Sequence, residues 1–155
     1  MTSQSTLLSD RRRWMSALAT APAAVLSNSW QGLSVQPDFT WISPPQFETI
    51  MLRARADGSG MVFNFGEMTV TRCSLALGNG IAGIACIGGR DKRHAAVAAV
   101  FDAMMLCPDG SQWHALAREA VLAAEAASNK HVAARAAKAR ATEVAFSMSV
   151  AEQPK

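Results

Sequence analysis

The chain has 155 residues and a net charge of +3, from fifteen Lys and Arg against twelve Asp and Glu. Half of it is hydrophobic and 17% is charged, which suits a single domain with one core and argues against a disordered chain. No apolar run approaches the ~20 residues of a membrane helix, and with no Tyr and 6% aromatic residues there is little on which bases could stack.

The N-terminal run Asp10-Arg11-Arg12-Arg13-Trp14-Met15, followed by small apolar residues, has two readings. It imitates a twin-arginine export signal. It also reads as an amphipathic helix with Trp14, Leu18 and Ala21 on one face. Pro22 sits where a second helix over Ala23 to Trp30 would begin. From Gly32 to Pro45 the chain reads as irregular, because Pro37, Pro44 and Pro45 forbid a helix.

Strands follow. Phe47 to Ala56 alternates, with Ile50, Leu52 and Ala54 on one side and Thr49, Met51, Arg53 and Arg55 on the other. Asp57-Gly58-Ser59-Gly60 supplies turn chemistry. Met61 to Phe65 alternates again, and Gly66-Glu67 reads as a second turn. In Met68 to Leu77, Thr69, Thr71, Cys73, Leu75 and Leu77 share a face opposite Met68, Val70, Arg72 and Ser74. After Gly78-Asn79-Gly80, the run Ile81 to Ile87 reads as a strand buried on both faces. These segments predict a four-stranded antiparallel meander covered by helices.

Asp91 can cap the next helix, on which Val97, Ala98, Phe101, Met104 and Met105 recur at helical spacing up to Pro108; its methionines read as core fillers. From Ser111 to Met148 there is no Gly or Pro, and Ala, the best helix former, dominates. A single helix of that length would measure roughly 55 Å, against a radius of gyration of about 15 Å for such a domain. Either it breaks, with Ser128-Asn129 the obvious place, or part of it leaves the globule. A smooth alanine-rich helix suits packing against another chain, so this arm reads as an assembly surface. The expected fold is therefore α+β in one domain: helices in 1–31, sheet in 46–88, a helix in 91–107 and a helical arm in 111–148.

Chemistry-bearing residues are sparse. Cys73, Cys86 and Cys107 are widely spaced with no C-x-x-C, so neither zinc nor a disulfide framework is indicated, and the reducing cytoplasm fits best. No Ser or Cys has a nucleophile motif around it, and the carboxylates are scattered. One segment stands out, Gly88-Gly89-Arg90-Asp91-Lys92-Arg93-His94. Glycines before a helix start, with basic residues beside them, can hold an anion such as phosphate, Arg90, Lys92 and His94 being the candidates; the plainer reading is a capped helix with solvated charges. His131, Arg135 and Lys138 share one helical face with no acid between Glu125 and Glu143. That face is either solvated or meets an acidic partner or a phosphate. Thr69, Thr71 and Arg72 are interface candidates, with β-branched strand packing as the plainer reading for the threonines.

Several spaced motifs carry a family resemblance. Arg11-x-Arg13-Trp14-Met15-Ser16-x-Leu18-Ala19 opens the chain. Arg53-Ala54-Arg55, Gly58-x-Gly60 and Phe63-Asn64-x-Gly66-Glu67-x-Thr69-Val70-Thr71-Arg72 follow, then Gly89-Arg90-Asp91-Lys92-x-His94-Ala95 and Asp102-Ala103. In these the chain resembles the PhnG family, the G subunit of the phosphonate carbon–phosphorus lyase system. It departs from the family at Ala96, where members commonly carry Glu.

The resemblance implies a folded N-terminus rather than an export signal, with Trp14 an interface candidate, and a cytoplasmic subunit that works with H, I and J subunits and with ABC-like K and L subunits. It implies support, with H, I and L, for transferring the ribose triphosphate of ATP to a phosphonate with loss of adenine. The cofactor expectation is that this chain binds none and has no catalytic or metal-ligating residue, while the iron–sulfur and S-adenosylmethionine chemistry sits on the J subunit. The alternative it leaves is a partial contributor to the active site through Gly89 to Lys92.

Overall fold

The computed structural model describes residues 2–55 and 59–141, with the side chains of 2–6 left aside. In chain order the elements are α1 (Thr2–Thr20), α2 (Ala23–Gln31), β1 (Phe39–Arg55), β2 (Val62–Leu77), β3 (Ala82–Gly88), α3 (Lys92–Met105) and α4 (Gln112–Ala141). The α+β class and the order of helices, antiparallel sheet and helices are as expected. Among the described residues, however, the sheet has three strands in the order β1-β2-β3, not four.

The fourth strand disappears because Gly66-Glu67 is not a turn. Leu52 pairs with Gly66 and Arg53 with Asn64, so Phe65 is an extra residue and β2 bulges there without reversing. The segment before Pro45 is a second correction, since β1 begins at Phe39 and runs through Pro44 and Pro45. Register shifts between Trp41 and Ser43 and between Ser43 and Gln46 absorb the prolines. An edge strand tolerates a residue without an N–H at such points. The predicted turn at Asp57-Gly58 falls partly outside the described residues, as does the end of the helical arm at 142–148.

β3 is the third correction. Gly83, Ala85 and Ile87 are buried while Ala82, Ile84, Cys86 and Gly88 are exposed, so it buries one face, not two. Helices cover only that face. Of the face assigned to Thr69, Thr71, Cys73, Leu75 and Leu77 on β2, all but the half-buried Thr69 lie in the interior, and Val70 on the opposite face is buried as well.

The core is organised around α3. From His94 to Met104 every residue except Ala96 is buried, because the sheet lies on one side of this helix and α1, α2 and α4 pack around the rest. α3 lies close against β3 at Gly83, where a Cβ would stand 2.1 Å from the Ala99 carbonyl oxygen and 2.7 Å from the Ala103 Cβ. Phe101 meets the Trp30 ring edge-on at 6.5 Å.

One charge lies inside this apolar shell. Asp102 on α3 has no solvent exposure. Its Oδ2 accepts from Arg11 Nη2 at 2.7 Å and from the Ile84 backbone N–H at 2.9 Å. Its Oδ1 accepts from the Trp14 indole N–H at 2.9 Å and from Arg11 Nε at 3.2 Å. A single carboxylate thereby joins α1, β3 and α3. A second tie runs from α3 to the end of α1, where His94 Nε2 lies 2.8 Å from the Leu18 carbonyl oxygen and donates to it. The N-terminal run is thus an integral helix.

α4 does not break at Ser128-Asn129. Ala117, Ala120, Val121 and Ala124 bury its first half, Glu125 pairs with Arg13 at 2.7 Å, and every described residue from Asn129 to Ala141 is exposed. The second half leaves the globule, the other of the two expectations.

Gly83→Ala is expected to lower unfolding stability by about 2 kcal/mol or more, as overpacking against backbone does, in a denaturant titration. Gly66→Ala, with nothing within 4 Å of its Cβ position, serves as the near-neutral control. Asp102→Asn keeps the shape but leaves Arg11 without its counter-charge. It is expected to cost about 3 kcal/mol, in the range for a broken buried pair, measured by the same titration.

Candidate functional site

The segment singled out in the sequence lies between β3 and α3, and its path is set by β2. Gly89 has φ +95°, the left-handed region that glycine enters without a Cβ penalty. Its N–H donates to the Thr69 carbonyl oxygen at 2.8 Å, and its own carbonyl accepts from Thr71 Oγ1 at 2.7 Å. Thr69 and Thr71, interface candidates from the sequence, here clamp the connection from within. Thr71 is fully buried and Thr69 half-buried.

Held in this way, the connection presents Arg90 and Lys92 to the same aromatic ring. The Arg90 guanidinium carbon lies 6.0 Å and Lys92 Nζ 4.9 Å from the centre of the half-exposed Phe47 ring on β1. Two cations over one ring gain cation–π attraction, and neither has a carboxylate partner among the described residues. The structure thus brings Arg90 and Lys92 together and adds Phe47 to them.

His94 is not part of that pair. It is buried, and its ring is committed to Leu18. Asp91 caps α3 by accepting from the His94 backbone N–H at 2.8 Å, so a carboxylate already occupies the helix start where an anion would otherwise sit.

The remaining candidates lie apart. Trp14 is buried on Asp102, inside the chain rather than on its surface. Arg72 is exposed and 3.8 Å from Glu48, a loose surface pair of small energetic weight. His131, Arg135 and Lys138 stand on the exposed half of α4, far along the chain from Arg90. Burial pushes the Cys73 thiol up to about 11, and its Sγ donates to the Ala95 carbonyl oxygen, so it remains a neutral core thiol. Among the described residues no group of three or more His, Cys, Asp or Glu is placed to hold a metal ion.

Two surfaces extend from this core. β3 pairs only with Val70 to Ala76 of β2, so beyond it Thr49–Arg55 and Val62–Thr69 form a two-stranded ribbon. On that ribbon Met51, Phe63 and Phe65 are exposed, and Met61 beside it is 89% exposed. The other is the far half of α4, where Lys130, His131, Arg135, Lys138 and Arg140 project among alanines without an acid.

Sequence reasoning did not assign the Asp102 network a role, although Arg11, Trp14 and Asp102 all lie in the motifs that carry the resemblance. The available signal was a lone acid inside the otherwise apolar helical stretch Ala95 to Met105. An acid there has to be partnered in the fold, and the partners are 91 and 88 positions away, beyond any local pattern. Phe47 was read only as the start of a strand.

The family model for the phosphonate metabolism protein PhnG matches residues 9–150. A curated relative, the alpha-D-ribose 1-methylphosphonate 5-triphosphate synthase subunit PhnG of Rhizobium meliloti (strain 1021), is 35% identical over 103 residues. That stretch covers 66% of this chain and 66% of the relative, just under two thirds of its length. The family match runs from α1 to beyond α4 and takes in the Asp102 network and the clamped Gly89 connection. On this evidence the chain belongs to the PhnG family of phosphonate metabolism proteins.

Proposed function

We propose that this chain is an accessory subunit of a bacterial synthase that transfers the ribose triphosphate of ATP to a phosphonate and releases adenine. In this reading it works in the cytoplasm in a core complex with H, I and J subunits, with ABC-like K and L subunits joining them, and contributes docking surface rather than catalytic groups. The relative's name as a synthase subunit supports the complex. The observation that carries the accessory role is the two-stranded ribbon. An isolated pair of strands is marginal in water, and one that leaves the mutually contacting Phe63 and Phe65 bare, with Met61 next to them in the chain, carries apolar surface of the kind that marks a protein interface. The basic, acid-free half of α4 adds a second surface, suited to an acidic region of a partner.

A second reading has one observation in its favour. Arg90 and Lys92 share the Phe47 ring and have no carboxylate partner among the described residues, so they can reach the triphosphate or phosphonate of a substrate held mainly by another subunit. Arg90 carries the fork that matches phosphate oxygens. The Asp91 carboxylate at the helix start weighs against a complete phosphate site on this chain, which is why the accessory reading stands first.

Co-expression with the I subunit, followed by light scattering, is expected to give a stoichiometric complex. Replacing both Phe63 and Phe65 by Ser is expected to weaken that complex about tenfold or more, in the range of aromatic interface anchors, while thermal unfolding of the free chain changes little. Unaltered assembly of the double variant would overturn the ribbon's role. In the full set of subunits, Arg90→Ala is expected to assemble and still release adenine. Normal assembly with transfer lost at least a hundredfold would replace the accessory reading with the second one.

A further inference from the structure

The free edge of the sheet at β3 has a feature that neither surface above uses. The Ile84 N–H turns away from β2 to Asp102. In an antiparallel ladder the outward and inward positions alternate, and the flanking bonds from Leu77 N–H to Ile81 and from Gly89 N–H to Thr69 follow that alternation. Cys86, in register with Arg72 as Ile84 is with Ser74, therefore directs both its N–H and its C=O outward. Asp102 takes the Ile84 N–H, but no described group takes either polar group of Cys86. An edge in this state is ordinarily blunted by Lys, Pro, a bulge or a covering element. Here it opens into a groove of about 510 Å³ between β3 and α1.

The groove has a definite chemistry. Leu8 and Met15 on α1 form an apolar wall opposite Ile84, Cys86 and Ile87. Arg11 and Arg12 also line it, with no Asp or Glu among the lining residues. Arg11 is engaged by Asp102, whereas Arg12 is exposed and has no ion-pair partner among the described residues.

We propose that, given this chain's role as a subunit, the groove receives an extended segment of a partner subunit, which adds to β3 as a strand. The segment pairs its backbone with Cys86, lays an apolar side chain on Leu8 and Met15, and sets a carboxylate against Arg12. Its main-chain bonds supply affinity, while the apolar wall and the arginine select the sequence, as in other strand additions to an open sheet edge. The site lies on the opposite edge of the sheet from β1, so it can be occupied while the ribbon is engaged.

The test is hydrogen–deuterium exchange on this chain alone and in the complex co-purified with its partner subunits. The Cys86 amide is expected to exchange at least tenfold more slowly in the complex. Cys86→Pro removes the outward N–H at an edge position and is expected to weaken the complex about tenfold, as is Arg12→Glu, while Cys86→Ala, which keeps the N–H, assembles as wild type. A complex in which the Cys86 amide is unprotected, or in which Cys86→Pro and Arg12→Glu assemble normally, overturns the strand addition and leaves the subunit role standing. Failure of the wild-type chain to form any complex overturns both. If the chain alone self-associates with the same protection, and Cys86→Pro abolishes it, the occupant is a second copy and the partner segment is overturned.

Discussion

A carboxylate with no access to solvent cannot stay charged in an apolar shell unless other groups replace its water. Asp102 meets that requirement with four donors taken from three parts of the chain: two from Arg11, one from Trp14 and the backbone N–H of Ile84. The same condition fixes the geometry around it. α1 has to bring Arg11 and Trp14, and β3 its Ile84, to the same carboxylate on α3. The contribution of such a pair to net stability is modest, because desolvation offsets much of the attraction. Its larger effect is on arrangement, since a shifted α1 would leave a charge buried without a partner.

The other main features follow from how α3 is enclosed. Gly83 lets α3 come down onto β3, and His94 ties its first turn to the end of α1. With the helices gathered on one face of the sheet, most of the opposite face stays exposed, and the β3 edge is capped at Ile84 but not at Cys86. The ribbon formed by β1 and β2 then runs past the end of β3, and α4 continues past the last residue it can bury, Ala124. The compact part and the projecting parts are two sides of one arrangement. The exposed apolar side chains of the ribbon and the basic half of α4 are the surfaces on which the proposed subunit role rests. The Gly89 connection is tied to the compact part by Thr69 and Thr71, and the exposed side chains of Arg90 and Lys92 meet at Phe47.

Much of this was legible in the chain itself. Period-two alternation placed Thr71, Cys73, Leu75 and Leu77 on one inward face, helical spacing marked α3, and Asp91 was recognisable as its cap, because each rests on contacts within a few residues. The misread elements were those where tertiary pairing overrode a local signal. Gly66 looks like a turn residue, but with Leu52 opposite it becomes a bulge. Pro44 and Pro45 look like strand breakers, but an edge strand with register shifts accommodates them. The apolar run in β3 looks buried on both faces, but only one face of the sheet is covered. Of the candidate site, the Gly-Arg-Asp-Lys segment was visible as a pattern, whereas the turning inward of His94 and the meeting of Arg90 and Lys92 on Phe47 were not.

The sequence by itself determined the class of the fold, the succession of its helices and sheet and, through its spaced motifs, the family. These depend on propensity, periodicity and residue identity, which are read along the chain. The tertiary structure alone decided that Arg11, Trp14 and Ile84 converge on Asp102, that the sheet has three strands among the described residues with helices on one face, and that an open edge lies beside Arg12. The physical reason is that each of these depends on pairing between residues distant in the chain, where the desolvation of one buried charge and the register of a ladder select among arrangements that local preferences leave equally available.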